Sequence, residues 1–404
     1  LEEMGEIQGA GKAMILRKIT LPLVLPAILS AVILTFSKAI GTFGTINYLG
    51  SPVQYYTLSS QLYMNINSRD TQTGFAMAIL MIIIASIAVF VNQKLIGSRK
   101  SYATIGGKGG RSTLIGLGKV GRPVITAALF VFFAVGIIMP IVILVMESFM
   151  LKEGIYSLDN FTLHYWIGES NPQIMEGLPG IFKNDEFINS LFNSLRLTLV
   201  NGVFGTIFGQ LLGYITAKGR GRLHGKLVEQ LVFIPYLIPS VAFGGIYLSM
   251  FSQPQQIFGV TLVPALYGTF ALLTLVSVVK HLPFAARAGT SNMLQISGEL
   301  EEAATIEGAG FFRRFVKIVF PLSKGGFISG FMLIFVSIMK ELDLIILIMT
   351  PTTSTLPYLA FRYQNGNSPQ ASDCVAIVMF SIVFLVYAIA NLSGKADLAK
   401  SMAG

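Results

Sequence analysis

One loop signature occurs twice in this chain of 404 residues, and its two copies are separated by 299 positions. The later copy consists of Glu302-Ala303-Ala304, Gly308, Ile318 and Pro321. The earlier copy consists of Glu3-Met4-Gly5, Gly9, Ile19 and Pro22. Both copies lead directly into an apolar segment. Such a long-period duplication of a polar loop in a hydrophobic chain predicts two related membrane halves in one polypeptide.

The composition indicates that most of the chain is membrane core, because only 12% of the residues are charged and 53% are hydrophobic. A soluble domain has about 25% charged residues. Eight apolar segments are long enough to cross a bilayer as helices: 23–43, 75–93, 123–146, 193–217, 230–251, 262–280, 322–348 and 374–393. Continuous runs of this length are not the alternating pattern of a membrane barrel. We therefore predict an all-α membrane protein with eight transmembrane helices in this fragment.

The charges of the loops predict the orientation of these helices. The loops 94–122, 218–228 and 281–321 are rich in lysine and arginine, whereas 147–191 is rich in acidic residues. Positively charged loops remain in the cytoplasm, so both ends of the fragment are expected there. The same rule accounts for the net charge of +9. We therefore expect no nucleic-acid partner.

The segment 94–122 is rich in glycine, lysine and serine, and this composition predicts a flexible linker. Residues 116–121 within it match the string GxGxxG. No strand precedes the string, which excludes a dinucleotide-binding turn, and no phosphate-loop triplet follows. The chain therefore contains no ATPase of its own. Residue 1 already lies inside the first loop copy, so we expect the chain to be truncated at its N-terminus.

The loop from Glu302 to Pro321 resembles the "EAA" loop of the membrane subunits of ATP-binding-cassette importers, the type I, binding-protein-dependent permeases. In that family the loop forms a short coupling helix that docks in a groove on the cytoplasmic ATPase. The resemblance implies coupling roles for Glu3, Gly9, Glu302, Ala303, Ala304, Gly308 and Pro321. The first copy departs from the family pattern at Met4 and Gly5, and the second departs at Phe320.

The resemblance also implies a domain organisation and a set of partners. Residues 1–93 would be the C-terminal part of a first permease half, 94–122 the linker, and 123–404 a complete six-span second half. The expected partners are two copies of the ATPase, a periplasmic or lipid-anchored substrate-binding protein, and the lipid of a bacterial inner membrane. The chain itself would be a transport subunit rather than an enzyme, with no cofactor.

Weaker similarities suggest a subgroup. The segments 41–44, 49–52 and 56–58 resemble the first half of fused ferric-iron-type permeases, and 340–342 with 347–351 resembles the second half. Ferric iron is therefore the leading expected substrate. Related fused permeases are assigned to phosphonates, sugar phosphates or polyamines, so these alternatives stay open.

Three charges, Lys340, Glu341 and Asp343, lie in an apolar segment and are candidates for the transport pathway, because ionisable groups in a span usually mark a pathway or a pair. Lys340 and Asp343 would share one helix face. Counted from Leu322, Lys340 would lie about 27 Å along a helix and near the outer membrane surface, which would also allow snorkelling.

The histidines and the single cysteine predict no metal site. His224 and His281 are expected near the cytoplasmic surface and His164 outside, so they form no ligand cluster. Cys374 has no partner for a disulfide.

Two other functional classes fit the sequence less well than a permease of an ATP-driven importer does. An ion-gradient transporter usually has inverted repeats, whereas both loops here lie on one side. An intramembrane enzyme would need paired catalytic groups in its spans, and the apolar segments contain none.

Overall fold

The computed structural model describes residues 2–97, 118–257 and 259–392. The chain divides into two compact units. One unit comprises Leu1–Ala39 with Ile83–Met146, and the other comprises Ile40–Ile82 with Glu147–Gly404. Part of the predicted linker lies outside the described residues. Its last residues are helical, because helix α7 already begins at Gly118.

The described residues are mostly helical. The helices up to the first acidic segment are α1 Glu2–Ile7, α2 Lys12–Ile15, α3 Leu21–Gly41, α4 Gly44–Gly50, α5 Leu58–Asn67, α6 Thr71–Gly97, α7 Gly118–Phe133, α8 Met139–Glu147 and α9 His164–Ile167. The elements that follow are α10 Asp185–Lys218, α11 Leu223–Leu237, α12 Ser240–Phe251, β1 Gln255–Ile257, β2 Val260–Val263, α13 Phe270–Met293, α14 Gly298–Ile306, α15 Phe311–Arg314, α16 Phe320–Leu322, α17 Lys324–Met339, α18 Leu356–Asn365 and α19 Pro369–Leu392.

Five stretches of helix among the described residues are long and apolar enough to cross a membrane, and two bent helix pairs raise the number to seven. These stretches lie in α6, in the continuous helix formed by α7 and α8, and in α10, α13 and α19. The bent pairs are α11 with α12, and α15–α16 with α17. Helix α3, of 21 residues, occupies the first of the eight expected spans. The all-α membrane architecture is therefore confirmed.

Two of the expected spans have different boundaries in the structure. The segment 262–280 begins with the last two residues of β2, which pairs antiparallel with β1, and its helix starts only at Phe270. The segment 322–348 bends by 76° before α17, and that helix already ends at Met339. Hydropathy measures transfer from water and contains no information on where a buried chain leaves a helix, so it placed both boundaries wrongly.

The duplication extends beyond the loop signature. Helices α5 and α18 both have ten residues, lie 298 positions apart, and follow an extended threonine, Thr57 or Thr355. Their sequences differ at most positions, so this part of the repeat was not apparent from the residues. Both helices belong to the larger unit.

Helices α10 and α13 form the closest packed pair in the larger unit. A Cβ atom on Gly209 would lie 2.3 Å from the Cβ of Ala285, and one on Gly213 would lie 2.5 Å from the carbonyl carbon of Gly289. These glycines, spaced by four residues, let the two backbones touch, as small residues do between membrane helices. We refer to Gly209, Gly213 and Gly289 as the glycine seam. The main apolar core lies beside it and includes Leu272, Leu273, Val276, Ile334 and Ile338.

Replacing Gly209 by valine should separate α10 from α13 and lower the stability of the protein by about 1–3 kcal/mol, the usual cost of overpacking. Gly136→Val is the matched control, since a Cβ at that helical position meets no atom within 4 Å. Thermal unfolding of the purified variants in detergent measures the difference. Equal melting temperatures for both variants would contradict the seam.

Candidate functional site

The loop of the second copy contains a short helix, α14, with a defined start and end. Ser297 caps its first turn by accepting a hydrogen bond from the N–H of Glu299 at 3.3 Å. At the other end Gly308 has φ +78°, a left-handed conformation that favours glycine. The N–H of Ala309 donates to the carbonyl of Ala304, and that of Gly308 donates to Thr305. This pair of bonds is a Schellman motif, which ends a helix abruptly.

The first copy has the same backbone at each corresponding position. Gly9 has φ +80°, and the N–H groups of Gly9 and Ala10 donate to Glu6 and Gly5. A five-residue π-helical turn follows in both copies, at Leu16–Thr20 and at Phe315–Val319. All these positions differ by 299, so the repeated sequence signature encodes a repeated local structure.

Three of the predicted coupling residues of the second copy lie on this helix. The backbone places Glu302, Ala303 and Ala304 in α14; Glu302 and Ala303 are exposed and Ala304 is half-buried. Gly308 is exposed at its end. Pro321 lies in α16, just before the 76° bend that leads into α17. Of the first copy, Glu3 lies in α1, and its side chain is outside the described part of the chain.

Sequence reasoning missed the most strongly held residue of the loop, Glu301. Its carboxylate is buried, with Lys218 Nζ 2.6 Å from Oε1. The hydroxyl of Tyr214 donates to Oε2 at 2.6 Å. Burial acts to raise the pKa of Glu301, but hydrogen bonds from Lys218 and Tyr214 outweigh it and hold the pKa below its usual range. The sequence signal for a role of Glu301 is limited to its position directly before the Glu302-Ala303-Ala304 motif.

The second candidate region is a group of charges around the end of α17. Lys340 and Asp343 do not share a helix face as expected, because α17 ends at Met339 and the chain continues in turns. Lys340 is exposed. Asp343 instead accepts hydrogen bonds from the backbone N–H groups of Phe43, at 3.1 Å, and Gly44, at 2.9 Å. It thereby caps the start of α4 in the other repeat, where the helix dipole favours a carboxylate.

Glu341 is enclosed and does not snorkel. Its Oε2 lies 3.3 Å from Nε2 of His281, and its Oε1 accepts a hydrogen bond from the N–H of Leu344 at 3.0 Å. His281 lies in the middle of α13, not near its end as the sequence suggested. Its Nδ1 is 2.9 Å from the carbonyl of Ser277 and must donate to it. Nε2 is therefore the ring nitrogen of His281 that faces Glu341.

Lys280, next to His281, closes the break between α11 and α12, which meet at 98°. Its ammonium group donates to the carbonyls of Pro235, at 2.9 Å, and Ile238. Pro239 and the bend leave these carbonyls without helical partners, and an unpaired carbonyl in an apolar region costs several kcal/mol. A buried cation at a helix C-terminus satisfies them and complements the helix dipole. We refer to Lys280, His281 and Glu341 as the buried charge cluster.

The metal-binding groups are dispersed. His281 contacts Glu341, and His164 lies in α9 of the acidic segment. Cys374 is buried, with its thiol 3.6 Å from the carbonyl of Ser148. Over the described ranges, no three His, Cys, Asp or Glu side chains are arranged to hold a metal ion.

Comparison with known proteins identifies the family. Residues 1–102 and 205–396 match the profile of the binding-protein-dependent transport system inner membrane component. The chain therefore belongs to this family of membrane permeases and is a multi-pass inner membrane protein. The matched residues include both loop copies, the buried charge cluster and Asp343.

Several curated relatives and solved structures are similar to the chain, among them the following. A ferric transport system permease protein of Actinobacillus pleuropneumoniae is 22% identical over 412 residues, which cover 100% of this chain and 56% of the relative. The chain thus spans about half the length of that relative. A sulfate transport system permease protein of Synechocystis sp. is 26% identical over 212 residues, covering 50% of this chain and 71% of the relative.

The solved structure is a bacterial alginate ABC transporter in complex with an alginate pentasaccharide-bound periplasmic protein. It matches with a TM-score of 0.51 and 16% identity, over 68% of this chain and 95% of the other. The fold of the chain is therefore that of the membrane domains of ABC importers.

Gly308→Ala should weaken the end of α14 by about 1–2 kcal/mol, because a side chain disfavours the left-handed conformation. The matched control is Gly310→Ala, since Gly310 has φ −66° and a Cβ there meets no atom within 4 Å. Hydrogen exchange should be faster at the amides of Gly308 and Ala309 in the first variant only. Unchanged protection there would contradict the Schellman motif.

Glu341→Leu should destabilise the protein by about 1–3 kcal/mol for each buried donor left without an acceptor. The N–H of Leu344 is such a donor, and His281 would also lose the carboxylate that faces its Nε2. Glu341→Gln keeps an acceptor and should cost less, and Lys340→Met should be close to neutral because Lys340 is exposed. Melting temperatures in detergent give the order. If Lys340→Met lowered the melting temperature as much as Glu341→Leu, the assignment of Glu341 as a buried hydrogen-bond acceptor would be contradicted.

Proposed function

We propose that this chain is the membrane-spanning permease of an ATP-driven importer, and that its two loops are docking points for two copies of a cytoplasmic ATPase. The observation that supports this most directly is the pair of equivalent isoleucines on α1 and α14. Ile7 and Ile306 are 299 positions apart, and 82% and 85% of their surfaces are exposed. Helices α1 and α14 thus end in the same way, and each exposes an isoleucine at the equivalent position.

An exposed apolar residue on a short, rigid helix is suited to insertion into a groove on another protein. Leu300 is also exposed on α14, and the neighbouring carboxylate of Glu302 is free to meet a cation in such a groove. A Schellman ending fixes the length of the helix and the direction in which the chain leaves it. The ATPase, a separate subunit, would supply the energy of hydrolysis, and the permease would convert it into movement.

The domain organisation follows from the same proposal. Residues 1–93 would be the end of one permease half, 94–122 the connection, and 123–404 the second half. Both termini would be cytoplasmic, on the side of the two loops. A periplasmic or lipid-anchored binding protein would deliver the solute from the other side, as a periplasmic protein binds the alginate transporter.

Ferric iron is the substrate we favour, because a relative that the whole chain matches is a ferric transport system permease protein. The sulfate permease has a similar sequence identity to this chain, 26%, over 50% of its length. An oxyanion is therefore the second candidate substrate. Phosphonate, sugar phosphate and polyamine are further alternatives within the same machinery. Ferric iron would be cargo here and not a resident metal.

The double variant Gly9→Val and Gly308→Val should lose ATPase binding and solute uptake while remaining in the membrane. Both glycines are left-handed, with φ +80° and +78°, and valine at such positions distorts the helix ending. The matched control is Gly11→Val with Gly310→Val, where a Cβ meets no atom within 4 Å in either loop. Co-purification of a soluble ATPase, with its stoichiometry, and uptake of labelled iron or sulfate are the measurements.

Wild-type protein that retains no ATPase under conditions where its transport is intact would overturn the proposed function. Normal solute uptake by the double variant Gly9→Val and Gly308→Val would show that the loops are not the docking points. Uptake of sulfate instead of ferric iron would change the substrate and leave the mechanism in place.

A further inference from the structure

Glu301 lies where the coupling helix α14 meets the end of the long helix α10. Its side chain points away from the exposed face that carries Glu302 and Ile306, and it is buried against α10. Both of its oxygens contact α10: Lys218 Nζ is 2.6 Å from Oε1, and the Tyr214 hydroxyl is 2.6 Å from Oε2. Charge-assisted hydrogen bonds of this kind are stronger and more directional than neutral ones.

Tyr214 makes a second connection to the same loop through its ring. Its centroid lies 5.7 Å from that of Phe311 and 5.8 Å from that of Phe315, both edge to face. These phenylalanines belong to α15 and to the π-helical turn that follows α14. The side chain of Tyr214 thus contacts the loop on both sides of Gly308.

The far end of α14 is held as well. Arg314 donates through Nη1 to the hydroxyl of Thr305, at 2.6 Å, and to the carbonyl of Ala309, at 3.3 Å. The hydroxyl of Thr305 donates to the backbone carbonyl of Glu301 at 2.7 Å. Helix α14 is therefore attached to its surroundings both through Glu301 and through its last turn.

Those surroundings lead towards the membrane interior. Gly213 precedes Tyr214 and packs against the backbone of Gly289 on α13. Along α13, His281 precedes Gly289 by eight residues, or about 12 Å. His281 in turn contacts Glu341 after α17, and Lys280 holds the break between α11 and α12. Close-packed backbones with no intervening side chains transmit displacement with little compliance.

We propose that Glu301 is a positioning residue that joins the coupling helix to α10, so that a displacement of α14 reaches the buried charge cluster through the glycine seam. This proposal rests on the proposed function, because it requires an ATPase that moves α14. Glu302 and Ile306 would bind the ATPase, and Glu301 would transmit the movement to the membrane helices. Neighbouring residues of one helix thereby have different tasks.

The test uses the intact protein in proteoliposomes with its ATPase and binding protein, and measures ATP hydrolysed per solute imported. Glu301→Gln and Lys218→Met should raise this ratio about tenfold, a change of ~1.4 kcal/mol in coupling, while ATPase binding stays normal. Exchanging the charges, Glu301→Lys with Lys218→Glu, should restore the ratio to within about threefold of wild type. Glu299→Gln, an exposed carboxylate on the same helix, is the control and should leave the ratio unchanged.

Tyr214→Phe removes one hydroxyl and keeps the ring packing, so it tests the connection even if the charge variants fold poorly. It should also raise the ratio of ATP hydrolysed to solute imported. An unchanged ratio of ATP hydrolysed to solute imported in Glu301→Gln, Lys218→Met and Tyr214→Phe would overturn the proposal. It would also be overturned if hydrolysis and import fell equally in the single charge variants and the exchanged charges did not reverse that fall. Failure of the wild-type protein to bind an ATPase would instead overturn the proposed function.

Discussion

The contact of α10 with α13 at the glycine seam is the interaction on which the rest of the larger unit depends. Gly209 and Gly213 allow the helix backbones to meet, and no other residue fits between them without moving one helix. This approach places the middle of α13, with Lys280 and His281, in the interior of the unit. It also fixes the end of α10, to which the loop helix α14 is bound by Glu301.

A second constraint acts on the polar groups that this packing buries. An apolar environment leaves a carbonyl or a charge without water, so each must find a protein partner. Lys280 satisfies the carbonyls at the break after α11, and Glu341 satisfies the N–H of Leu344 and faces His281. Asp343 caps α4. Each charge thus stabilises a place where a helix starts, ends or breaks.

The two repeats are related at the level of backbone conformation. Asp343, which follows α17, accepts a hydrogen bond from the N–H of Gly44 at the start of α4, so the two repeats contact each other here. The loops have the same helix ending and the same π-helical turn. Their side chains have diverged: Arg314, which holds α14, corresponds to Ile15 in the first loop. The two loops thus share a backbone conformation but differ in the side chains that attach them to the rest of the protein.

The sequence by itself determined the class of protein, the approximate helices and the repeated loop. Apolar length and loop charge are properties of single segments, and Gly9 and Gly308 have a local conformational reason to be glycine. Only the tertiary structure decided what the buried charges contact. Lys340 and Asp343 were expected to pair by their spacing, but α17 ends before them. His281 and Glu341 are 60 positions apart, and Lys218 and Glu301 are 83 apart, so no local pattern relates them. Helix ends and long-range ion pairs depend on which backbones approach closely, and that approach is a property of the packed fold.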